Sequence, residues 1–123
     1  MAFVAFVTLL LLAQYTYFIA VVGMARGELN VPAPATSGND TFERILRVQV
    51  NTMEQLMIVL PAMWICANYF STGFAGTMGL VFLAARFIYS KAYIAEPTSR
   101  GTGMIIGFAA TIALMLTGLW GVL

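Results

Sequence analysis

The sequence predicts an all-α fold, an integral membrane four-helix bundle formed by a single transmembrane domain over residues 1–123. Hydrophobic residues make up 61% of the chain and charged residues only 9%, against about 25% charged residues in soluble domains. A helix needs about 20 apolar residues to cross the hydrocarbon, so four crossings use nearly the whole chain. Little is left for a soluble domain.

The first two helices are predicted at about residues 2–25 and 41–70. Gln14 is the only strongly polar side chain of the first, and its apolar run is too long for a signal peptide, so we expect it to be retained. The stretch between the two helices is rich in Pro, Gly, Asn and Ser, which indicates a loop. Asn39, Asp40 or Thr41 can cap the second helix.

The last two helices are predicted at about residues 72–93 and 98–122. A short uncharged turn, "YFSTG", precedes the third helix, and Pro97 lies just before the fourth. Glycine and alanine recur along the fourth helix, which favours close packing against its neighbours.

The charged residues surround only the first and third connections of the predicted bundle. Residues 1–25, 55–85 and 101–123 carry no charge, and all six Lys and Arg lie at one end. The positive-inside rule places that end on the cytoplasmic side of the membrane, which would be a bacterial inner membrane or a eukaryotic internal membrane. A net charge of +1 without a basic run argues against nucleic acid, and one cysteine with no histidine argues against a metal site.

A polar stripe marks the beginning of the second helix. Arg47, Asn51 and Glu54 are spaced by four and then three residues, so they share one side of the helix. Glu54 falls about one turn inside the hydrocarbon, where an ionisable residue is expected to face the bundle interior and to be paired. For Glu43 and Arg44 we favour a structural role, as an ion pair of Glu43 with Arg47 and as solvation of the helix end.

The third helix carries a second polar stripe at matching depth, formed by Arg86, Tyr89 and Tyr93. The tyrosines alone could be an interfacial aromatic belt. Arg86 lies about two turns inside the helix end and needs an anionic partner, for which Glu54 is the nearest candidate by depth. Arg100, at the start of the fourth helix, either adds to a positive field there or is a snorkelling interface residue.

These residues outline a cleft suited to a small zwitterionic peptide, and they also carry a family resemblance. The segments "FERILRVQVNTMEQ" and "ARFIYSKAY", followed by Arg100, resemble the membrane-associated proteins in eicosanoid and glutathione metabolism, which include microsomal glutathione transferases and the leukotriene-forming synthase. The pattern ERxxRxxxNxxE on the second helix is specific. The resemblance covers essentially the whole chain and is strongest to the leukotriene-synthase-like branch.

The resemblance implies a homotrimer that conjugates glutathione, its cosubstrate, to lipophilic electrophiles from the bilayer, or reduces lipid hydroperoxides. It implies that Arg100 activates the thiol, as a catalytic residue. The implied glutathione-binding residues are Arg26, Arg47, Asn51, Glu54, Arg86, Tyr89 and Tyr93.

Two alternatives remain open at this point. The family also includes a non-catalytic lipid-binding scaffold, and small four-helix proteins also serve as drug exporters, although such an exporter would need a carboxylate in the first helix. Gln55 stands where the eicosanoid-forming members often have tyrosine, and Gly27 stands where the leukotriene branch has a second arginine, so the natural electrophile is not specified.

Overall fold

The computed structural model describes residues 1–96, Thr98 and residues 101–123. In these ranges the chain forms four α-helices, α1 (Ala2–Glu28), α2 (Asp40–Tyr69), α3 (Thr72–Ala95) and α4 (Gly101–Val122). All four are long and apolar enough to cross a membrane, which confirms the predicted all-α membrane class. The helices α1 and α3 continue two to three residues beyond their predicted ends. The fourth helix is predicted from residue 98, whereas α4 as described begins at Gly101. Pro97, Ser99 and Arg100 fall outside the described residues.

Side-chain caps explain where α2 and α3 begin. The Asn39 Oδ1 atom accepts a hydrogen bond from the Phe42 backbone N–H at 3.0 Å, so Asn39 is the cap among the three predicted candidates. The Ser71 hydroxyl oxygen accepts from the Phe74 N–H at 3.1 Å in the same way. The uncharged turn between α2 and α3 therefore satisfies a backbone donor that would otherwise be costly at a membrane surface.

The helices α2 and α3 form the middle of the bundle. They pack against each other, α1 packs on both from one side, and α4 packs on both from the other. Small residues permit the close approach of α4: a Cβ atom at Gly107 would lie 3.5 Å from the Ala85 Cβ atom, and one at Gly118 would lie 3.2 Å from the Ile65 Cγ2 atom. The predicted role of these glycines in helix packing is confirmed.

The loop between α1 and α2 is fastened by Arg26. Its Nη1 atom donates to the backbone oxygens of Ala35 at 2.7 Å and Val31 at 3.3 Å. The guanidinium carbon also lies 4.9 Å from the centre of the Phe42 ring, a cation–π distance. Arg26 therefore holds the loop against the first turn of α2.

Candidate functional site

A cavity of about 220 Å³ opens at the charged end of the bundle, between α2, α3 and α4. It brings together four of the residues predicted from the two polar stripes: Arg47, Asn51, Arg86 and Tyr89. Its full lining is Arg47, Asn51, Gln55, Phe82, Arg86, Tyr89, Gly103, Met104, Gly107 and Phe108. The residues of α2 and α3 form its polar side, and α4 contributes an apolar wall.

Three polar side chains of this cavity are available to a ligand. Arg47, Asn51 and Gln55 form no hydrogen bond or ion pair with any residue in the described part of the chain. Polar groups at this depth in a membrane protein are normally paired, because hydrocarbon cannot satisfy them. A cation and two amides that are left free in a concave site suit a small polar ligand that carries negative charge.

The contacts of the Arg86 side chain differ from those predicted. Its side chain is buried, with 4% exposed, and its Nη2 atom donates to the Thr52 hydroxyl oxygen at 2.8 Å. The guanidinium carbon lies 4.3 Å from the centre of the Tyr89 ring. The Nε atom has no acceptor among the described residues. The predicted pairing of Arg86 with Glu54 is wrong for this chain, because a neutral hydroxyl and an aromatic face take that place.

The position of Glu54 explains this difference. A helix turns by about 100° per residue, so a step of three residues from Asn51 rotates the side chain about 60° backwards. Asn51 borders the cavity, but Glu54 lies on the exposed outer side of α2, whereas Thr52 is fully buried. The prediction that Glu54 faces the interior of the bundle is therefore wrong for the single chain.

A second hollow, of about 500 Å³, adjoins the cavity at the membrane surface. Arg47 lines both spaces, and Tyr93 lines the hollow while its ring stacks on Tyr89, with 5.5 Å between ring centres. Two carboxylates, those of Asp40 and Glu43, are exposed in this hollow. An extended ligand lying across both spaces would meet cations, amides and carboxylates in turn.

Two structural roles predicted near this hollow need correction. Within the described ranges Glu43 and Arg47 form no ion pair, so Arg47 stays free toward both spaces. Arg44 does not simply solvate the helix end, because its Nη1 atom donates to the Ile94 backbone oxygen at 3.2 Å. That contact ties α2 to the last turn of α3.

Arg26 does not line the cavity in the described part of the chain. Arg26 is engaged by the loop carbonyl groups, and Arg100 lies outside the residues that the structure describes. The helix that follows Arg100 does reach the site: Gly103 lines the cavity, and a Cβ atom there would lie 2.6 Å from the Tyr89 backbone nitrogen. The beginning of α4 therefore packs directly on the part of α3 that carries Tyr89.

Sequence reasoning missed two polar residues of this site. Gln55 follows Asn51 by four residues and so continues the same stripe, a signal that could have identified it. Thr52 gave no such signal, because a threonine in an apolar helix usually donates to its own backbone, as Thr52 also does to the Val48 oxygen at 2.7 Å. Its second role as an acceptor depends on the packing of α3.

The apolar wall of the cavity continues onto the outside of the bundle. Met104 and Phe108 line the cavity and are also 47% and 59% exposed. Together with Ile105 and Ala109 they form a shallow apolar hollow on the outer face of α4. An apolar molecule in the bilayer could therefore approach the polar cavity past these two side chains.

Comparison with known proteins identifies the family. Residues 4–120 match the model of the MAPEG family. The chain is 37% identical over 119 residues to an uncharacterized protein of Synechocystis sp., covering 97% of this chain and 87% of that protein. It is 34% identical over 118 residues to human microsomal glutathione S-transferase 2, covering 96% and 80%. It is 38% identical over 99 residues to bovine leukotriene C4 synthase, covering 80% and 66%. The predicted resemblance is confirmed, and the chain belongs to the MAPEG family.

Proposed function

We propose that the protein is a membrane-bound glutathione transferase that stabilises the thiolate of glutathione and conjugates it to lipophilic electrophiles from the bilayer. The observation that carries the proposal is the cavity at the charged end, where Arg47, Asn51 and Gln55 lack partners among the described residues. The names of two similar proteins, a glutathione S-transferase and a leukotriene synthase, support the same chemistry.

The polar groups of the site match the charges of glutathione. The tripeptide has two carboxylates, one ammonium group and two amides. Arg47 would bind a carboxylate, and the amides of Asn51 and Gln55 would hydrogen-bond the peptide backbone. The hollow beside Tyr93 adds the carboxylates of Asp40 and Glu43, which could receive the ammonium group.

The chemical step requires the sulfur to be deprotonated. A thiol is mostly protonated at neutral pH and only the thiolate is a good nucleophile. We assign the stabilisation of the thiolate to Arg100, helped by the N–H groups at the start of α4. The thiolate sulfur attacks the electrophilic carbon, a C–S bond forms, and the electron pair of the broken bond leaves with the departing group or with the opened epoxide oxygen.

The lipophilic substrate would enter from the bilayer past Met104 and Phe108, whose side chains are both exposed and part of the cavity wall. A lipid hydroperoxide could be reduced at the same site. Sulfur attack on the terminal oxygen releases an alcohol and leaves a sulfenic acid, and a second glutathione converts that acid to a disulfide and water.

We also propose that the protein works as a homotrimer, with glutathione held between subunits. The exposed position of Glu54 supports this assembly, because its neighbour Met57 is 73% exposed and the carboxylate would otherwise face hydrocarbon. A second chain packed on this surface would cover Glu54. It would also bring its own Arg26 close to the site, so that the carboxylate of Glu54 and a cation from the second chain could both take part. Native mass spectrometry of the purified protein should give three chains per particle, and a monomer would contradict the proposal.

The function is tested by titrating the purified protein with glutathione while recording the ultraviolet absorbance of the bound thiolate, the nucleophilic form of the thiol. We expect saturable binding, a thiolate signal and turnover with an aryl halide. Arg100→Ala should leave binding largely intact, raise the pKa of the bound thiol through loss of the positive charge, and lower turnover. An unchanged thiolate signal in the variant would remove Arg100 from its role. Absence of both binding and turnover would instead favour the lipid-binding scaffold.

A further inference from the structure

The bundle has a second cleft at its charged end, between α1, α2 and α3, which we call the α1 cleft. We propose that it binds one anionic phospholipid, with the phosphate on Lys91 and Ser90 and an acyl chain along the apolar wall. The cleft has a volume of about 330 Å³. It is lined by Tyr17, Phe18, Val21, Ile45, Val48, Ser90, Lys91, Ile94 and Ala95.

The α1 cleft is separate from the glutathione cavity. The two lie on opposite sides of the α2–α3 pair, since one is lined by α1 and the other by α4. A buried cluster of Phe18, Val48 and Tyr89 stands between them, with exposed fractions of 4%, 1% and 4%. Phe18 and Val48 line the α1 cleft, and Tyr89 lines the cavity. A lipid in the cleft would therefore not touch glutathione.

The apolar wall of the α1 cleft is suited to an acyl chain. Aliphatic side chains from all three helices line it, and the Phe18 ring packs at 5.8 Å from Tyr17 and 6.1 Å from Phe87, measured between ring centres. Tyr17 and Phe87 are 55% and 44% exposed on the outer surface. A concave apolar surface that opens between membrane helices is filled most readily by hydrocarbon.

The polar end of the cleft contains a hydroxyl group, that of Ser90, which has no hydrogen-bond partner among the described residues. Ser90 is only 9% exposed, and its hydroxyl forms no hydrogen bond with any residue that the structure describes. Buried threonines elsewhere in the bundle behave differently, since Thr52 and Thr111 each donate to the backbone oxygen four residues earlier. The Ser90 hydroxyl is therefore free to donate to a ligand in the cleft.

Lys91 sets the charge of that ligand. It follows Ser90 at the cleft rim, is exposed, and has no ion pair among the described residues. None of the lining residues is acidic. Both residues lie in the last two turns of α3 (Thr72–Ala95), the level at which lipid head groups meet a transmembrane helix. A cation and a hydroxyl donor above an apolar cleft match a phosphodiester with its acyl chain.

The test is native mass spectrometry of the full-length protein released from nanodiscs that contain equal amounts of phosphatidylglycerol and phosphatidylcholine. We expect one retained phosphatidylglycerol per chain. Lys91→Gln should lower its retention about fivefold, the factor for one lysine near an anionic surface, whereas Lys91→Arg should keep it. Val21→Trp, which fills the apolar wall, should displace both lipids.

Three results would overturn the proposal: equal retention of the two lipids, no effect of Lys91→Gln, or displacement of the retained lipid by inorganic phosphate, which would indicate a site for a free anion. Circular dichroism and thermal unfolding establish that each variant is folded. Lys91 is an exposed side chain without described contacts, so Lys91→Gln should not affect folding. The result does not depend on whether the protein binds glutathione.

Discussion

The Thr52 hydroxyl joins α2 to α3, because it accepts from Arg86 at 2.8 Å and donates to the Val48 oxygen. Thr52→Val keeps the shape of the side chain but removes that acceptor, so a buried guanidinium N–H loses its partner. We expect a loss of about 1–3 kcal/mol, measured as a lower thermal unfolding temperature in detergent.

A matched control is available for this prediction. The Thr111 hydroxyl is also buried, but among the described residues it bonds only to the Gly107 oxygen of its own helix, at 2.9 Å. Thr111→Val should therefore have a much smaller effect, and Thr52→Ser should restore most of the stability. Equal losses in Thr52→Val and Thr111→Val would argue against the contact with Arg86 as the cause.

Asn51 lies in the cavity with a side-chain amide that has no partner in the described ranges. If it hydrogen-bonds glutathione, Asn51→Leu should raise the dissociation constant about tenfold, which corresponds to about 1.4 kcal/mol. Isothermal titration calorimetry measures this change.

Asn68→Leu provides the comparison, because Asn68 is exposed at the other end of α2 and, within the part of the chain that the structure describes, bonds only to the Trp64 oxygen at 2.8 Å. The affinity of the Asn68→Leu protein for glutathione should stay at the wild-type value. A tenfold loss in both variants would show a general effect of the substitution on α2 instead of a contact at residue 51.

Spacing along the chain could predict part of this site. Arg47 and Asn51 were placed correctly at one edge of α2, since a step of four residues changes the direction of a side chain by only about 40°. A step of three residues along a helix turns the side-chain direction in the opposite sense to a step of four. From Asn51, Glu54 is therefore turned outward while Gln55 is turned toward the cavity. Which side of the stripe faces inward depends on where α3 and α4 pack.

The helices α3 and α4 approach each other closely at Gly103. A Cβ atom there would lie 2.6 Å from the Tyr89 nitrogen and 2.9 Å from the Ala85 oxygen, and backbone atoms cannot move aside cheaply. Gly103→Ala should push α4 away from α3 and destabilise the protein by about 1–3 kcal/mol. Because Gly103 also lines the cavity, glutathione affinity should fall in the same variant.

Gly23→Ala should act in the opposite direction. A Cβ atom at Gly23 in α1 would meet nothing within 4 Å, so the substitution costs no contact and gains helix propensity of up to about 1 kcal/mol. Thermal unfolding compares the two variants. A Gly103→Ala protein as stable as Gly23→Ala would refute the close contact between α3 and α4.

The existence of the four helices followed from sequence because each apolar segment is long and bounded by polar or glycine-containing turns. The sequence did not predict which helices pack against each other. All four segments are apolar on most sides, so hydrophobic patterning does not identify which face meets which helix. The small residues of α4 predicted a close approach, but only the structure shows that Gly103 meets α3 and Gly118 meets α2.

The outer surface of the whole chain is mostly apolar and its polar groups are concentrated at one end. Large side chains such as Leu9, Ile105 and Leu116 are more than half exposed, at 65%, 67% and 61%. Such surface is stable only against lipid or another protein chain. Both ligand sites proposed above lie at the charged end, so the orientation of the bundle decides which compartment supplies their ligands.

The positive-inside rule predicts that this end faces the cytoplasm, because all six Lys and Arg of the sequence flank the first and third connections. Cysteine labelling tests it in a Cys66→Ala background, which removes the native thiol. A membrane-impermeant maleimide should label Ser37→Cys, in the loop between α1 and α2, only in inside-out vesicles. It should label Gly73→Cys, at the beginning of α3, only in right-side-out vesicles. The reverse pattern would place the charged end outside, where a protein that depends on cytoplasmic glutathione could not obtain its cosubstrate.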